Sequence, residues 1–174
     1  MDDLVITIDG RTDTLRIRDQ FGPSVLNGVE LFEFDDGTVF NITDIEELLS
    51  ITGGNRGDNI LNGLDDRDNV LDGRQGDDQL NGGNASDTYA FGVGYDIDLI
   101  TETPDSASNA GAVDRVVFGE LITPESLLVR REGDDLILSV IGGTDELRVA
   151  EGLTTRQIEE FIFADGTIWT PAEI

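Results

Sequence analysis

On either side of Asp36-Gly37, and again on either side of Asp165-Gly166, apolar and polar residues alternate. A period of two is that of a half-buried strand. Asp-Gly suits a two-residue turn in which Gly takes positive φ, so each stretch predicts a hairpin with Phe34, Val39, Phe163 and Ile168 on its core face. Each hairpin runs into a capping box, Thr43 with Glu46 and Thr170 with Glu173, and Pro171 stands at the first helical position of the second. The first box predicts a short helix over residues 44–50.

The similarity between the two hairpins extends beyond them. Asp2-Asp3-Leu4-Val5-Ile6 matches Asp134-Asp135-Leu136-Ile137-Leu138, and Thr12-Asp13-Thr14-Leu15-Arg16-Ile17 matches Thr144-Asp145-Glu146-Leu147-Arg148-Val149, both at an offset of 132. Phe32 to Phe40 matches Phe161 to Trp169 at an offset of 129, the loop before it being three residues shorter in the second copy. One unit therefore occurs twice. The second copy stops at Ile174, in the first turn of its own helix, which suggests a piece of a longer repetitive protein.

Between the copies the rhythm changes. Residues 54–87 hold eight Asp, six Asn and seven Gly, and the large apolar residues Leu61, Leu71, Leu80 and Tyr89 recur at spacings of 10, 9 and 9. Neither the helical period of 3.6 nor the strand period of 2 produces that beat. Each row pairs a Gly/Asp turn with a three-residue strand whose middle side chain is apolar. Such rows wind into a flattened right-handed coil, two rows per circuit, with parallel strands stacked at ~4.8 Å and the four apolar residues inward. Asp98-Leu99-Ile100 reads as a degenerate fifth row. The expectation is an all-β chain: residues 1–50 a first flanking unit, 51–100 a right-handed parallel β-roll, and 101–174 a second flanking unit, truncated at its end.

Composition narrows the chemistry. Of 174 residues, 37 are Asp or Glu and 11 are Arg, with no Lys, His or Cys, for a net charge of −26. A catalytic triad or Cys-His nucleophile, a conventional zinc site, a disulfide framework, a Schiff base and a P-loop lysine are all excluded. So acidic a chain repels nucleic acid and anionic membranes, and no segment approaches a membrane-spanning length. Cations are the natural partners.

One inward side chain per row leaves little apolar area to offset the entropy of ordering nine residues. The same winding sets turn upon turn, bringing Asn59 near Asp78, Asn69 near Asp87 and Asp78 near Asp98. Stacked carboxylates repel unless a cation lies among them. Ca²⁺ takes six to eight oxygen ligands and can use both side chains and the carbonyls of glycine-rich turns, whereas Mg²⁺ is smaller and more rigidly octahedral. The ligands expected are Asp78 and Asp87 first, then Asn59, Asn69 and Asp98, with carbonyls of Gly54, Gly57, Gly73, Gly76 and Gly82. Binding and folding of these rows would then be coupled.

The rows at Gly73 to Asn81 and Gly82 to Ala90 resemble the haemolysin-type, or repeats-in-toxin (RTX), nonapeptide Gly-Gly-x-Gly-x-Asp-x-apolar-x. Gly133-Asp134-Asp135-Leu136 and Phe163-Ala164-Asp165-Gly166-Thr167 are similar to the haemolysin-type calcium-binding-related domain that accompanies such arrays. The resemblance implies a β-roll that binds Ca²⁺ between turns, in bacterial proteins exported unfolded by type I secretion machinery and folded outside the cell. This chain departs from the pattern at Asn59 and Asn69, where the family has Asp, and in a one-residue insertion in the second row. It also lacks Gly at Asn55, Leu64 and Arg74.

A disordered acidic linker would share the composition of the tract, but its apolar beat would then be accidental. An EF-hand fails, because a loop begun at Asp68 puts Val70 third and Gln79 twelfth, where oxygen donors and Glu are needed. Paired acids such as Glu159-Glu160 do not make a glycosidase without a cleft between them. Phe40 and Trp169, equivalent in the two copies, read as hairpin core rather than sugar platforms. The expectation is a non-enzymatic calcium-dependent folding module of an extracellular protein. A carbohydrate-binding module of a polysaccharide-modifying enzyme and a spacer of an adhesin stand as alternatives.

Overall fold

The computed structural model describes residues 4–7, 14–17, 31–33, 37–41, 51–104, 111–154 and 158–174. Phe34, the Thr43–Glu46 box and the helix expected over 44–50 lie outside them. Two compact units form, Met1–Leu49 and Ser50–Ile174. Among the described residues there is no α-helix.

The first unit contains two antiparallel hairpins. β1 (Leu4–Thr7) pairs with β2 (Thr14–Ile17), setting Leu4 opposite Ile17 and Ile6 opposite Leu15. β3 (Leu31–Glu33) pairs with β4 (Val39–Asn41), setting Phe32 opposite Phe40.

In the second unit the chain alternates between two sheets. β5 (Ile51–Gly53), β7 (Val70–Asp72), β9 (Thr88–Phe91) and β11 (Arg115–Phe118) stack in parallel in one. β6 (Ile60–Asn62), β8 (Gln79–Asn81) and β10 (Ile97–Thr101) stack in parallel in the other. This is the parallel β-roll that the nine-residue beat predicts, and it continues past residue 100. After β11 the chain makes an antiparallel excursion through β12 (Leu127–Glu132) and β13 (Asp135–Val140). It then returns to add one more parallel rung to each sheet, β14 (Glu146–Ala150) beside β10 and β15 (Glu160–Ile162) beside β11. Antiparallel strands close both sheets at this end: β13 and β12 lie beyond β14, and the two-residue β16 (Ile168–Trp169) lies beyond β15.

The duplication holds register for register. β13–β14 sets Leu136 opposite Val149 and Leu138 opposite Leu147, and β15–β16 sets Phe161 opposite Trp169, which are the pairs of the first unit shifted by the two sequence offsets. The hairpin turn corrects the sequence expectation. Gly166 N–H donates to the Phe163 carbonyl at 3.0 Å and Phe163 N–H to the Thr167 carbonyl at 2.9 Å, so three residues intervene, with Gly166 at φ +88°. One extra residue flips every side chain beyond it to the other face. Phe163 and Trp169 accordingly pack on the core with ring centroids 4.8 Å apart, while Ile168 is 46% exposed. Val39, in the same register in the first unit, is also 46% exposed.

Leu61, Leu71, Leu80 and Tyr89 all point inward and are buried. They are the buried apolar rungs of the inner ladder in the early coils, where Thr52 stands beside Leu71. Towards the closing strands the interior widens into a cluster that includes Phe91, Ile100, Val116, Phe118, Leu147, Val149, Phe161 and Phe163, with Phe118 and Phe163 centroids 4.7 Å apart. Most of the apolar area that stabilises the roll lies at this end.

Candidate metal centre

Two residues before most of the inward side chains, on both edges of the roll, stands a polar residue, and after the first in each column it reaches to its equivalent one coil earlier. On the edge leading into β6, β8 and β10 the residues are Asn59, Asp78 and Asp98. Asp78 Oδ1 accepts the Asn59 N–H at 2.7 Å, and Asp98 Oδ1 accepts the Asp78 N–H at 3.1 Å. The next position in this column is Leu147, which pairs with Asp98 and ends the run of acids.

The opposite edge carries a longer column: Asn69, Asp87, Asp114 and Glu159. Asp87 Oδ1 accepts the Asn69 N–H at 2.8 Å, Asp114 Oδ1 accepts the Asp87 N–H at 2.8 Å, and Glu159 Oε2 accepts the Asp114 N–H at 2.7 Å. The structure thus brings together all five side chains expected as ligands, in the neighbour relations that the winding implies. It adds Asp114 and Glu159, which the broken spacing after residue 90 hides, although each precedes an inward apolar residue by two positions as Asp87 does.

Glu102 is a further addition. It lies two residues past Ile100, where the previous coil has Gly82 two past Leu80, and is 3% exposed. Its Oε1 accepts a hydrogen bond from the Tyr89 hydroxyl, which itself accepts the Gly82 N–H at 2.8 Å. Asp87, Glu102 and Asp114 are all buried, each with a carboxylate oxygen within 4.8 Å of the others'.

The glycines shape these edges. A Cβ on Gly73 would lie 2.3 Å from Asp78 Oδ2, and one on Gly82 would lie 2.3 Å from Asp87 Oδ2 and 2.4 Å from the Tyr89 hydroxyl. The Gly73 carbonyl faces Gly54, the Gly57 carbonyl faces Gly76, and the Gly82 carbonyl accepts from the Asn69 amide at 3.1 Å. Outside the inner columns, Asp58 Oδ1 accepts the Asp77 N–H at 3.0 Å and Asp68 Oδ1 the Ser86 N–H at 3.1 Å, so these exposed acids tie coils together.

The electrostatics are those of anions in excess. Burial, helped by the Asp78, Asp77 and Asp96 carboxylates, pushes Asp98 up to about 8 against the pull of the Asp78 N–H. Burial and then Asp114 push Glu102 up to about 9. Asp78 is raised by burial and by Asp58, Asp77 and Asp72. Asp78 Oδ2, Asp98 Oδ2 and Glu102 Oε2 are buried without a hydrogen-bond partner. Buried carboxylate oxygens are costly in that condition, and no cationic side chain reaches them among the described ion pairs. An all-oxygen donor set with orphaned buried carboxylates suits a hard divalent cation.

Parallel coils with stacked acids on both edges define the protein as an acidic β-roll. Residues 3–44 and 135–173, the two stretches that the internal duplication relates, each match the haemolysin-type calcium binding protein related domain. No curated protein matches the chain. Among solved structures, the extracellular lipase LipA from Serratia marcescens is similar at 16% identity and a TM-score of 0.42, over 75% of this chain and 23% of the lipase. The chain thus spans less than a quarter of that protein's length.

Proposed function

We propose that this chain is a non-enzymatic calcium-binding module whose roll closes fully only when divalent cations neutralise the carboxylates along its edges. The observation that carries the reading is the buried group of Asp87, Glu102 and Asp114, in which Glu102 Oε2 has no partner. Three carboxylates so placed repel one another, and none of the described ion pairs reaches Glu102. On one edge Asp87, Glu102 and Asp114 would hold the ion, and on the other Asp78, Asp98 and the Asn59 side chain, with the glycine carbonyls of the turns. A bound Ca²⁺ supplies two positive charges and accepts the oxygens that lack donors. The two domain matches support calcium over other hard cations.

Occupancy and winding are one event in this reading, because the unfolded chain has no preformed site. Sites of the extracellular class bind at ~10⁻⁴–10⁻³ M. At submicromolar cytosolic calcium they would be empty and the early coils open; in calcium-rich surroundings outside the cell they would fill. That fits a bacterial protein exported before it folds, the type I secretion route being the matching machinery.

The test is a thermal melt followed by far-ultraviolet circular dichroism in EDTA, MgCl₂ and CaCl₂. Calcium should raise the melting temperature and the β signal far more than magnesium, and Asp78→Ala should move the calcium titration midpoint upward. Identical melts in EDTA and CaCl₂ would defeat the reading.

A further inference from the structure

Asn69 stands in the acid column, but its side chain is turned in a way that a ligand's could not be. Its amide nitrogen lies 2.7 Å from the Arg67 carbonyl, 3.1 Å from the Leu64 carbonyl, 3.1 Å from the Gly82 carbonyl and 2.8 Å from Asp87 Oδ1. Its Oδ1 accepts the Leu64 N–H at 2.9 Å. Reversing the amide would set oxygen against four acceptors and NH₂ against a donor, so the network fixes its orientation. Asn69 is 1% exposed.

Four oxygens converging on one point, from two successive coils, is the surrounding a cation would have. Here a neutral NH₂ fills it. We infer that the Asn69 carboxamide replaces the metal ion at the first junction of its column, closing the Asn69–Asp87 contact without calcium. This rests on the calcium reading of the neighbouring junctions, and it moves Asn69 from the ligands to the residues that make a ligand unnecessary. An amide nitrogen has no free lone pair to offer a cation.

The inference accounts for two departures from the nonapeptide together. Residues 63–72 have one residue more than their neighbours, and the lengthened turn supplies the Leu64 and Arg67 carbonyls that face the amide. Asn59 shows that Asn alone does not produce this: its Oδ1 accepts the Asn55 N–H at 2.7 Å, within a row of normal length. A carboxylate at position 69 would face those same oxygens with like charge and would need a cation to be tolerated.

The test compares the wild-type chain, Asn69→Asp and Asn69→Ala. Thermal melts in EDTA and in CaCl₂ are combined with a count of bound ions by native mass spectrometry. In EDTA both variants should melt below wild type, by about 5 °C or more for loss of this network. In CaCl₂, Asn69→Asp should take up one ion more than wild type and recover its melting temperature, while Asn69→Ala should do neither. An Asn69→Asp protein that melts with wild type in EDTA, or that takes up no additional ion while the wild type takes up some, overturns the inference. If the wild type takes up none, the calcium reading fails by itself. The amide's part in closing the junction is then decided by the EDTA melts, where variants as stable as wild type would refute it.

Discussion

Asp66, Arg74, Ala85, Asp96 and Glu151 hold positive φ without being glycine. Arg74, at φ 73°, occupies a place where the nonapeptide has Gly, and Ala85, at φ 91°, occupies another. Each carries a Cβ in a conformation that L residues avoid, at roughly 1 kcal/mol or more. Ala85→Gly should therefore stabilise the calcium-loaded chain by about 0.5–1 kcal/mol in urea titrations, the strain relieved exceeding the added chain entropy. Gly76 is the opposite case. At φ +116°, a Cβ there would lie 2.6 Å from the Gly57 carbonyl carbon and 2.8 Å from the Asp58 nitrogen. Backbone cannot yield as a side chain can, so Gly76→Ala should cost about 2 kcal/mol or more in the same titration. An unchanged midpoint would show that the coils are not packed this closely.

The columns are the elements that respond to pH. A carboxyl whose pKa is raised on folding keeps its proton in the folded chain over a range where the unfolded chain has lost it. Asp98, at about 8, and Glu102, at about 9, are of this kind. Their contribution is largest below the ordinary carboxylate range and is lost as pH rises through those raised values. In EDTA the melting temperature should fall from about pH 5 to about pH 9, and in CaCl₂ the fall should flatten or reverse, since ion and proton compete for the same oxygens. A metal-free melting temperature that climbs over the interval would count against buried, unneutralised columns. The early columns were legible from sequence because unbroken spacing turns each Asp-x-apolar triplet into a register position. Past residue 90 the rungs are separated by long insertions, so Asp114 and Glu159 look like ordinary surface acids until the sheets align them. Glu102 was hidden because it stands where the pattern asks for Gly. The direction of the Asn69 amide depends on carbonyls of an inserted turn, which no spacing encodes. The hairpin faces were misread for a single reason, one residue more in the turn than Asp-Gly suggests.

Within the second unit, apolar packing is graded from one inward side chain per row at Leu61 and Leu71 to the aromatic cluster around Phe118, Phe161 and Phe163. Stability should be graded too. In EDTA, hydrogen exchange should be fastest over residues 51–81 and slowest in β11, β14 and β15, and calcium should slow the former most. Uniform protection in EDTA would mean that the early coils hold without help. The antiparallel strands at the packed end have a different consequence. β12 carries Arg130, Arg131 and Glu132 in its second half, and β16 offers only two residues. Another molecule arriving there would meet a short or heavily charged border running against the direction its own strands need, so this face denies a foothold to fibre growth.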